Sequence, residues 1–359
     1  MGVYKIAVIR GDGIGVDVVE EGLKVFNEIA INRGITMDFK EFPWGSQYYF
    51  DHGKMMPDDA LEELAEFDQI YLGAVGHPEL QDHITLNGLL LPIRRAFDQY
   101  VCERPSTLHA GVESPLAHKN SGDIDLVVIR ENTEGEYANV GGFQYRGFPE
   151  EVGIQTSVFT RHGCERVIKY AFELARTRDK KRHVTSVTKS NAQGYGLIVW
   201  DEAFTRIAED YPDIETQSLL VDAACMDFVR KPEEFDVVVA SNLFGDILTD
   251  IGAIITGRMG TAASANVDPE RRYPSMFEPV HGSAPDIAGQ GIANPMAAIM
   301  SGSMMLRFIG EKDAADSIDA AVLEVLEKGE ILTPDLGGTA TTAEVGDAIV
   351  SLIELGEVK

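Results

Sequence analysis

Val238–Asp250 reads VVASNLFGDILTD. The apolar run Val237–Ala240 ends in a short polar turn, and a pattern of helical period follows. A buried strand feeding a helix through a tight turn is the repeating unit of an α/β fold. Working outward, the same unit recurs. Tyr4–Ile9, Ile70–Val75, Ile124–Ile129 and Val184–Thr188 are apolar, β-rich runs that read as buried strands. Asp17–Ile31, Asp58–Phe67, Asn294–Ile309, Asp313–Lys328 and Thr342–Leu355 have helical periodicity. This alternation predicts a largely parallel sheet. Asn139–Gly153, rich in glycine and aromatics, fits neither pattern and reads as a protruding arm or an interface hairpin. There is no internal repeat and no low-complexity linker.

The opening stretch also carries chemistry. Asp246 and Asp250 are four residues apart, so a helix puts both carboxylates on one face. Two like charges that close repel unless a cation lies between them, and a hard divalent ion with oxygen ligands suits them. A third acid, Asp222, stands upstream in LLVDAACMDF. Arg94, Arg104 and Arg130 each lie near a strand or helix end. Acids that could hold a metal and arginines that could hold carboxylates suggest an enzyme acting on a small polyacid.

Composition narrows the class. At 359 residues the chain can bury a large core, and length suggests two or three domains. No apolar run is long enough to span a membrane, and MGVYKIAVIRGDG reads as a first strand and not a signal peptide. Three cysteines without a CxxC pair suggest reduced thiols and a cytoplasmic location; Cys225 reads as a core residue. The net charge of −27 argues against nucleic acid and anionic membranes as partners. It reflects solubility or a salty medium, and a local arginine cluster must then win over the global field at short range.

Gly11-Asp12-Gly13-Ile14-Gly15 follows the first strand and opens a helix. A dinucleotide fingerprint would want glycine where Val16 stands, and an acid at a strand end about twenty residues on. Neither is there, so this is a tight strand-to-helix turn that can still line a cofactor cleft. Phe277–Pro295, FEPVHGSAPDIAGQGIANP, is a long turn-rich segment between apolar runs, the kind of ordered loop that often binds ligands. Asp286 could accept hydrogen bonds from a ribose diol and would repel an extra phosphate. His281 is a loop hydrogen-bonding residue or an adenine contact.

These segments together resemble the β-decarboxylating dehydrogenases, which act on 3-isopropylmalate, isocitrate, homoisocitrate, tartrate and D-malate. GDGIG, IRRAFDQYVCERP, RENTEGEY, VTKSN, VDAACMDF, SNLFGDILTD, FEPVHGSAPDIAGQGIANP and TPDLGG occur in the family's order across essentially the whole chain. ITLNGLLLPIRRAFDQYV, IRENTEGEY and ASANVDPERRYPSMFEPVHGSAPDI look most like the tartrate/D-malate branch. The resemblance implies an isopropylmalate-dehydrogenase-like α/β fold, not a Rossmann fold. Domain 1 would be discontinuous, residues 1–103 plus 255–359, with the cofactor cleft. Domain 2, residues 104–254, would carry the metal ligands, the arm at about 139–153 and the interface of a homodimer, with the site in the cleft between the domains.

The implied chemistry is oxidation of a 2-hydroxy diacid at C2, then loss of the C3 carboxylate as CO2. Oxidation comes first because a ketone beta to the departing carboxylate can accept its electrons. Asp246 and Asp250 match the family's metal ligands, and Asp222 the ligand from the other subunit. Mn2+ or Mg2+ is implied, with K+ a further candidate. Arg94, Arg104 and Arg130 match the carboxylate clamps, where a planar guanidinium suits better than lysine. Lys189 matches the base, again across the dimer, and Tyr137 the acid that protonates the enol. Gly11, Gly13, Ile14, Gly73, His281, Gly282, Ala284, Asp286, Ile287 and Asn294 match the cofactor cleft, with Asp335 on the adenosine side. NAD users carry an acid then an aliphatic where Asp286-Ile287 stands, which implies NAD+.

Singly, each residue has a plainer reading: a surface arginine, an interface tyrosine, a helix-capping Asp246, a solvated Lys189. Jointly those readings do not explain why the types recur at the family's positions. Substrate choice rests on Thr85–Pro92, with Asn87 and Leu90 the matching substrate residues. Isopropylmalate enzymes usually carry glutamate at Asn87's position. Tartrate/D-malate enzymes usually carry tryptophan there and serine at Leu89's. One bulky residue in an apolar pocket is worth about 1–3 kcal/mol of discrimination. The expected activity is that of the tartrate/D-malate branch, D-malate to pyruvate and CO2. The alternatives are 3-isopropylmalate dehydrogenase and a silent regulatory subunit, although the latter predicts lost ligands and all are present.

Overall fold

A computed structural model describes residues 2–356. Twelve strands are described: β1 (Val3–Gly11), β2 (Thr36–Glu41), β3 (Gln69–Ala74), β4 (Val101–Thr107), β5 (Asp125–Glu131), β6 (Gly135–Gln144), β7 (Val152–Val158), β8 (His183–Thr188), β9 (Glu215–Leu220), β10 (Val237–Ala240), β11 (Ala263–Val267) and β12 (Ser275–Pro279). The chain divides into two compact units. One comprises Met1–Gln99, Arg104–Ile124 and Gly252–Lys359; the other comprises Tyr100–Glu103 and Asp125–Ile251.

In the first unit the strand order runs β2-β1-β3-β12-β11. β1 is parallel to β2 and β3, and β3 is parallel to β12; β11 runs antiparallel to β12. The helix Ile14–Arg33 packs against the helices Met296–Ile309 and Thr342–Leu355. Phe26 sits at the centre of that packing, its ring edge-on to Tyr71 at 5.0 Å. Gly302 makes room for it, since a Cβ there would lie 1.8 Å from the Phe26 ring.

In the second unit the order is β5-β10-β8-β9, all parallel. The buried runs of β5, β10 and β8 need cover on both faces. The helices Arg161–Arg178 and Gly196–Ala208 supply the core residues Phe172, Trp200 and Phe204. Trp200 meets its one polar requirement by donating Nε1–H to Ser186 Oγ at 2.9 Å.

Asn139–Gly153 falls within an antiparallel hairpin of β6 and β7. Phe143, Tyr145, Phe148 and Ile154 are exposed there.

Three expectations need correction. The helix read as Asp58–Phe67 is only Ala60–Leu64, because Glu66 and Phe67 donate to Glu63 and Leu64, three residues back, which tightens and ends the turn. The helix read from Asn294 begins at Met296, because Asn294 turns its own Oδ1 to accept the Met296 N–H. Cys225 is half-buried rather than core; desolvation still pushes its thiol pKa up. Cys102 and Cys164 are buried. Among the described residues no helix is long and apolar enough to cross a membrane.

Candidate active site

Parallel strands carry their loops to one edge, and ligands of α/β sheets bind at the carboxyl ends. In the first unit β1 ends in Gly11–Gly15, β3 in Gly73–Gly76, and β12 leads into the 280–291 loop. Asp12 donates its N–H to Ala74 O at 2.7 Å, and Ile14 donates to Ser283 O at 2.9 Å. The Asp12 carboxylate accepts from Ser46 N, Ser46 Oγ and Gly76 N at 2.8, 2.6 and 2.8 Å. Backbone bonds thus join the glycine turn to the other two loops, and the Asp12 carboxylate, which sequence reasoning passed over, ties it further to Gly76 and to Ser46. Because Ile14, the first helical residue, gives its N–H to Ser283, the glycine turn differs from an open dinucleotide cradle.

Gly11 and Gly13 both have positive φ, and a Cβ on Gly13 would lie 2.0 Å from Ser283 O. Gly13→Ala is therefore expected to destabilise the fold, by more than the ~1 kcal/mol that the same change can gain at a site with compatible backbone. Urea unfolding would measure it, and an unchanged midpoint would contradict the stitched arrangement.

Beside these loops lies a cavity of about 570 Å³ whose lining includes Val75, Gly76, His77, Leu80, Gly282 and Ser283. Burial lowers the His281 pKa. Its Nδ1 contacts Gly282 O at 3.0 Å, while its buried Nε2 has no partner. Ala284 has a positive φ of 38°. Asp286 is exposed and Ile287 half-buried, its N–H donated to Ala284 O at 3.1 Å. Asn294 Nδ2 donates to Asp335 Oδ2 at 3.1 Å, joining those two sequence-flagged residues.

Arg94, in the helix Leu91–Ala96, is 4% exposed. Its Nη2 pairs with Glu278 Oε1 at 2.7 Å, and its buried Nε has no partner. Asn266 Nδ2 donates to the same Glu278 oxygen at 2.8 Å. Arg104, in β4, is buried as well. Asn87 donates its amide N–H to His83 O, four residues back, at 2.8 Å. Leu89 and Leu91 are buried, and Leu90 packs against a core cluster containing Trp44, Ile93 and Phe97. Leu86–Leu90 forms a π-helical turn. Pro92 accounts for it, since Pro92 has no N–H for Gly88 O and its ring would strike that carbonyl in a regular helix.

In the second unit the register sets Arg130 of β5, Ala240 of β10 and Val187 of β8 level with one another. Arg130, the start of the helix Asn242–Ile255 and Lys189 therefore share the carboxyl edge. Arg130 Nη1 pairs with Asp246 Oδ1. Tyr137 donates its hydroxyl to Asp246 Oδ2 at 3.0 Å, and the guanidinium lies 5.2 Å from the Tyr137 ring centre. The neighbouring glutamates are structural. Glu131 accepts from Thr133 and Glu134, and burial raises its pKa. Glu134 accepts from Thr160. Glu136 accepts Ser241 Oγ at 2.8 Å and Leu243 N at 3.1 Å, so it caps the helix that carries Asp246.

Asp250 is exposed one turn beyond Asp246. Lys189, just past β8, pairs with Asp222, and that hydrogen bond lowers the Asp222 pKa. Asp222, Asp246 and Asp250 are not assembled into one group: among the described residues of this single chain, no three His, Cys, Asp or Glu side chains gather as a metal centre.

A family model described as isocitrate/isopropylmalate dehydrogenase matches residues 5–349. The chain belongs to that family. It is therefore an oxidoreductase with the family's α/β fold. It is 52% identical to the D-malate dehydrogenase [decarboxylating] of Escherichia coli, over 98% of this chain and 99% of that protein. It is 50% identical to the tartrate dehydrogenase/decarboxylase of Pseudomonas putida, over 96% of each. The crystal structure of isocitrate dehydrogenase from Methylococcus capsulatus is similar with a TM-score of 0.87 at 37% identity, covering 98% of this chain and 99% of that one.

Proposed function

We propose that this chain catalyses NAD+-dependent oxidative decarboxylation of a D-malate-like 2-hydroxy diacid, taking D-malate to pyruvate and CO2. The observation that carries the reading is the Arg130–Asp246–Tyr137 group, in a chain about half identical to relatives named for D-malate and tartrate. A guanidinium, a carboxylate and a phenol in mutual contact supply an anion clamp, a cation ligand and a proton donor.

Asp246 and Asp250 fit a hard cation such as Mn2+ or Mg2+, being oxygen ligands one helical turn apart, and Asp246 already draws a guanidinium. The partnerless His281 Nε2 and the adjoining cavity fit NAD+. Bound there, a cation would supply Lewis-acid polarisation of the substrate oxygens and NAD+ would supply the hydride acceptor for C2. Asp286 and Ile287 suit a ribose diol and disfavour a 2′-phosphate.

The chain's own residues account for the rest. Arg94, Arg104 and Arg130 bind the carboxylates. Lys189 takes the C2 hydroxyl proton. Once the ketone has formed, the C3–carboxylate bond breaks and its electron pair passes into the enol. Tyr137 then delivers a proton to C3. In one chain Lys189 faces Asp222, so the reading has this pair serve the partner subunit of a homodimer. The exposed aromatic and aliphatic residues of the β6–β7 hairpin support such an interface. The cysteine content supports a cytoplasmic setting.

The leucines favour a small diacid over 3-isopropylmalate. Leu89 and Leu91 are buried and Leu90 packs on the core, so they are occupied as structural residues and not spread around an alkyl group.

NADH formation should be seen with D-malate or a tartrate and Mn2+. It should be abolished by EDTA and restored by excess Mn2+. Persistence in EDTA after exhaustive dialysis would remove the metal from the proposal, and preference for 3-isopropylmalate would move the chain to the other branch.

A further inference from the structure

Asn242 is 1% exposed and stands four residues before Asp246 on the same helix. Its Oδ1 accepts from Arg130 Nε at 3.1 Å and Arg130 Nη2 at 2.8 Å. Its Nδ2 donates to Glu134 O at 3.2 Å. This orientation is forced: a flipped amide would set NH2 against a guanidinium and oxygen against a carbonyl. Asn242 and Asp246 therefore form one helical face that receives a single guanidinium, Asn242 along the Nε/Nη2 edge and Asp246 at Nη1. Gly245 lets the helix come this close, since a Cβ there would lie 2.6 Å from Arg130 Cβ.

The geometry points to Asn242 as a positioning residue that seats Arg130, fixing which edge of the guanidinium meets the substrate's carboxylate. An arginine has two edges that can grip a carboxylate, the side edge and the end edge. With its side edge held by a buried amide, Arg130 keeps the end edge that carries Nη1. Were a cation to take Asp246 as a ligand, Asn242 would still hold the plane of the guanidinium, leaving Nη1 placed for the diacid without the side chain swinging. The inference deepens the proposed function, because the diacid is the ligand Arg130 clamps.

Asn242→Ala removes both halves of the amide. Asn242→Asp keeps an oxygen for Arg130 and loses the donor to Glu134. The readouts are the KM values for D-malate and NAD+, and equilibrium D-malate binding with Mn2+ but without NAD+. Losing a hydrogen bond to a charged group predicts about a tenfold or greater rise in the D-malate KM for Asn242→Ala, and a matching loss of binding. The NAD+ KM should stay unchanged, and Asn242→Asp should recover most of the diacid affinity. An unchanged diacid KM in Asn242→Ala would overturn the assignment. So would equal impairment in both variants, which would trace the effect to the Glu134 bond. Should Asn242→Ala be too unstable to assay, Asn242→Asp decides alone: near-native diacid affinity supports the seat, and a loss of about tenfold overturns it. The wild-type control keeps the two readings apart. A wild-type chain that oxidises 3-isopropylmalate and not D-malate removes the substrate assignment, and the Asn242 comparison is then made with that acid.

Discussion

Asp246→Asn is expected to cut kcat/KM for the diacid by more than the ~100-fold seen at the upper end when a residue merely supporting a metal ligand is changed. Asp246 joins three features: the pair with Arg130, the Tyr137 hydroxyl at 3.0 Å and the one-turn spacing to Asp250. Asparagine keeps the size and one oxygen, so packing should survive while the charge is lost. Cation affinity should fall with the rate. NAD+ affinity should not, since the residues assigned to the cofactor belong to the other unit of the chain. Mn2+ titration of the rate together with NAD+ titration would separate the two. A variant with native kcat/KM at ordinary Mn2+ concentration would remove Asp246 from the site.

Glu278→Leu should produce the largest loss of stability. Arg94 and Glu278 have side chains only 5% and 8% exposed and lie 2.7 Å apart. Removing one partner of a buried ion pair strands the other charge and costs about 3–5 kcal/mol, a large share of a typical total of about 5–15 kcal/mol. The pair as a whole is less valuable than its rupture is costly, because each ion was desolvated to form it. The double variant Arg94→Met with Glu278→Leu should therefore regain much of the lost stability while remaining inactive. Urea unfolding of both singles and the double tests this. Additive losses would mean that the two side chains are not coupled.

The sequence was most legible where an apolar run or helical period continued without competition. Val237–Ala240 and Thr342–Leu355 have the bounds read from the sequence, the latter helped by a capping box between Thr341 and Glu344. β2 and β9 escaped notice because each lies at the end of its strand order and is largely exposed, so neither shows a buried apolar run. β11 and β12 lie in turn-rich sequence; they pair with each other, and β12 gains its second partner, β3, from far back along the chain.

In the site, the residue types that a reaction needs were visible as motifs, and the residues that hold them were not. Glu278 is 184 positions from Arg94, and Asn242 is 112 from Arg130. Such partners are set by the fold and have no local spacing to betray them. Asp12 lay within a motif whose glycines drew the attention, yet its carboxylate ties the loops together. The resemblance assigns Asn87 and Leu90 to the substrate segment; the structure adds a π turn imposed there by Pro92, a bond from Asn87 to His83 O and packing of Leu90 on the core cluster, none of which has a local sequence signal.

The most direct test of the central claim is product stoichiometry with D-malate, NAD+ and Mn2+, following NADH by absorbance, pyruvate by a coupled assay and CO2 by release of label from the C3-attached carboxylate. Oxidative decarboxylation predicts equal amounts of all three, with D-malate preferred over 3-isopropylmalate. NADH without pyruvate or CO2, or preference for the branched acid, would contradict it.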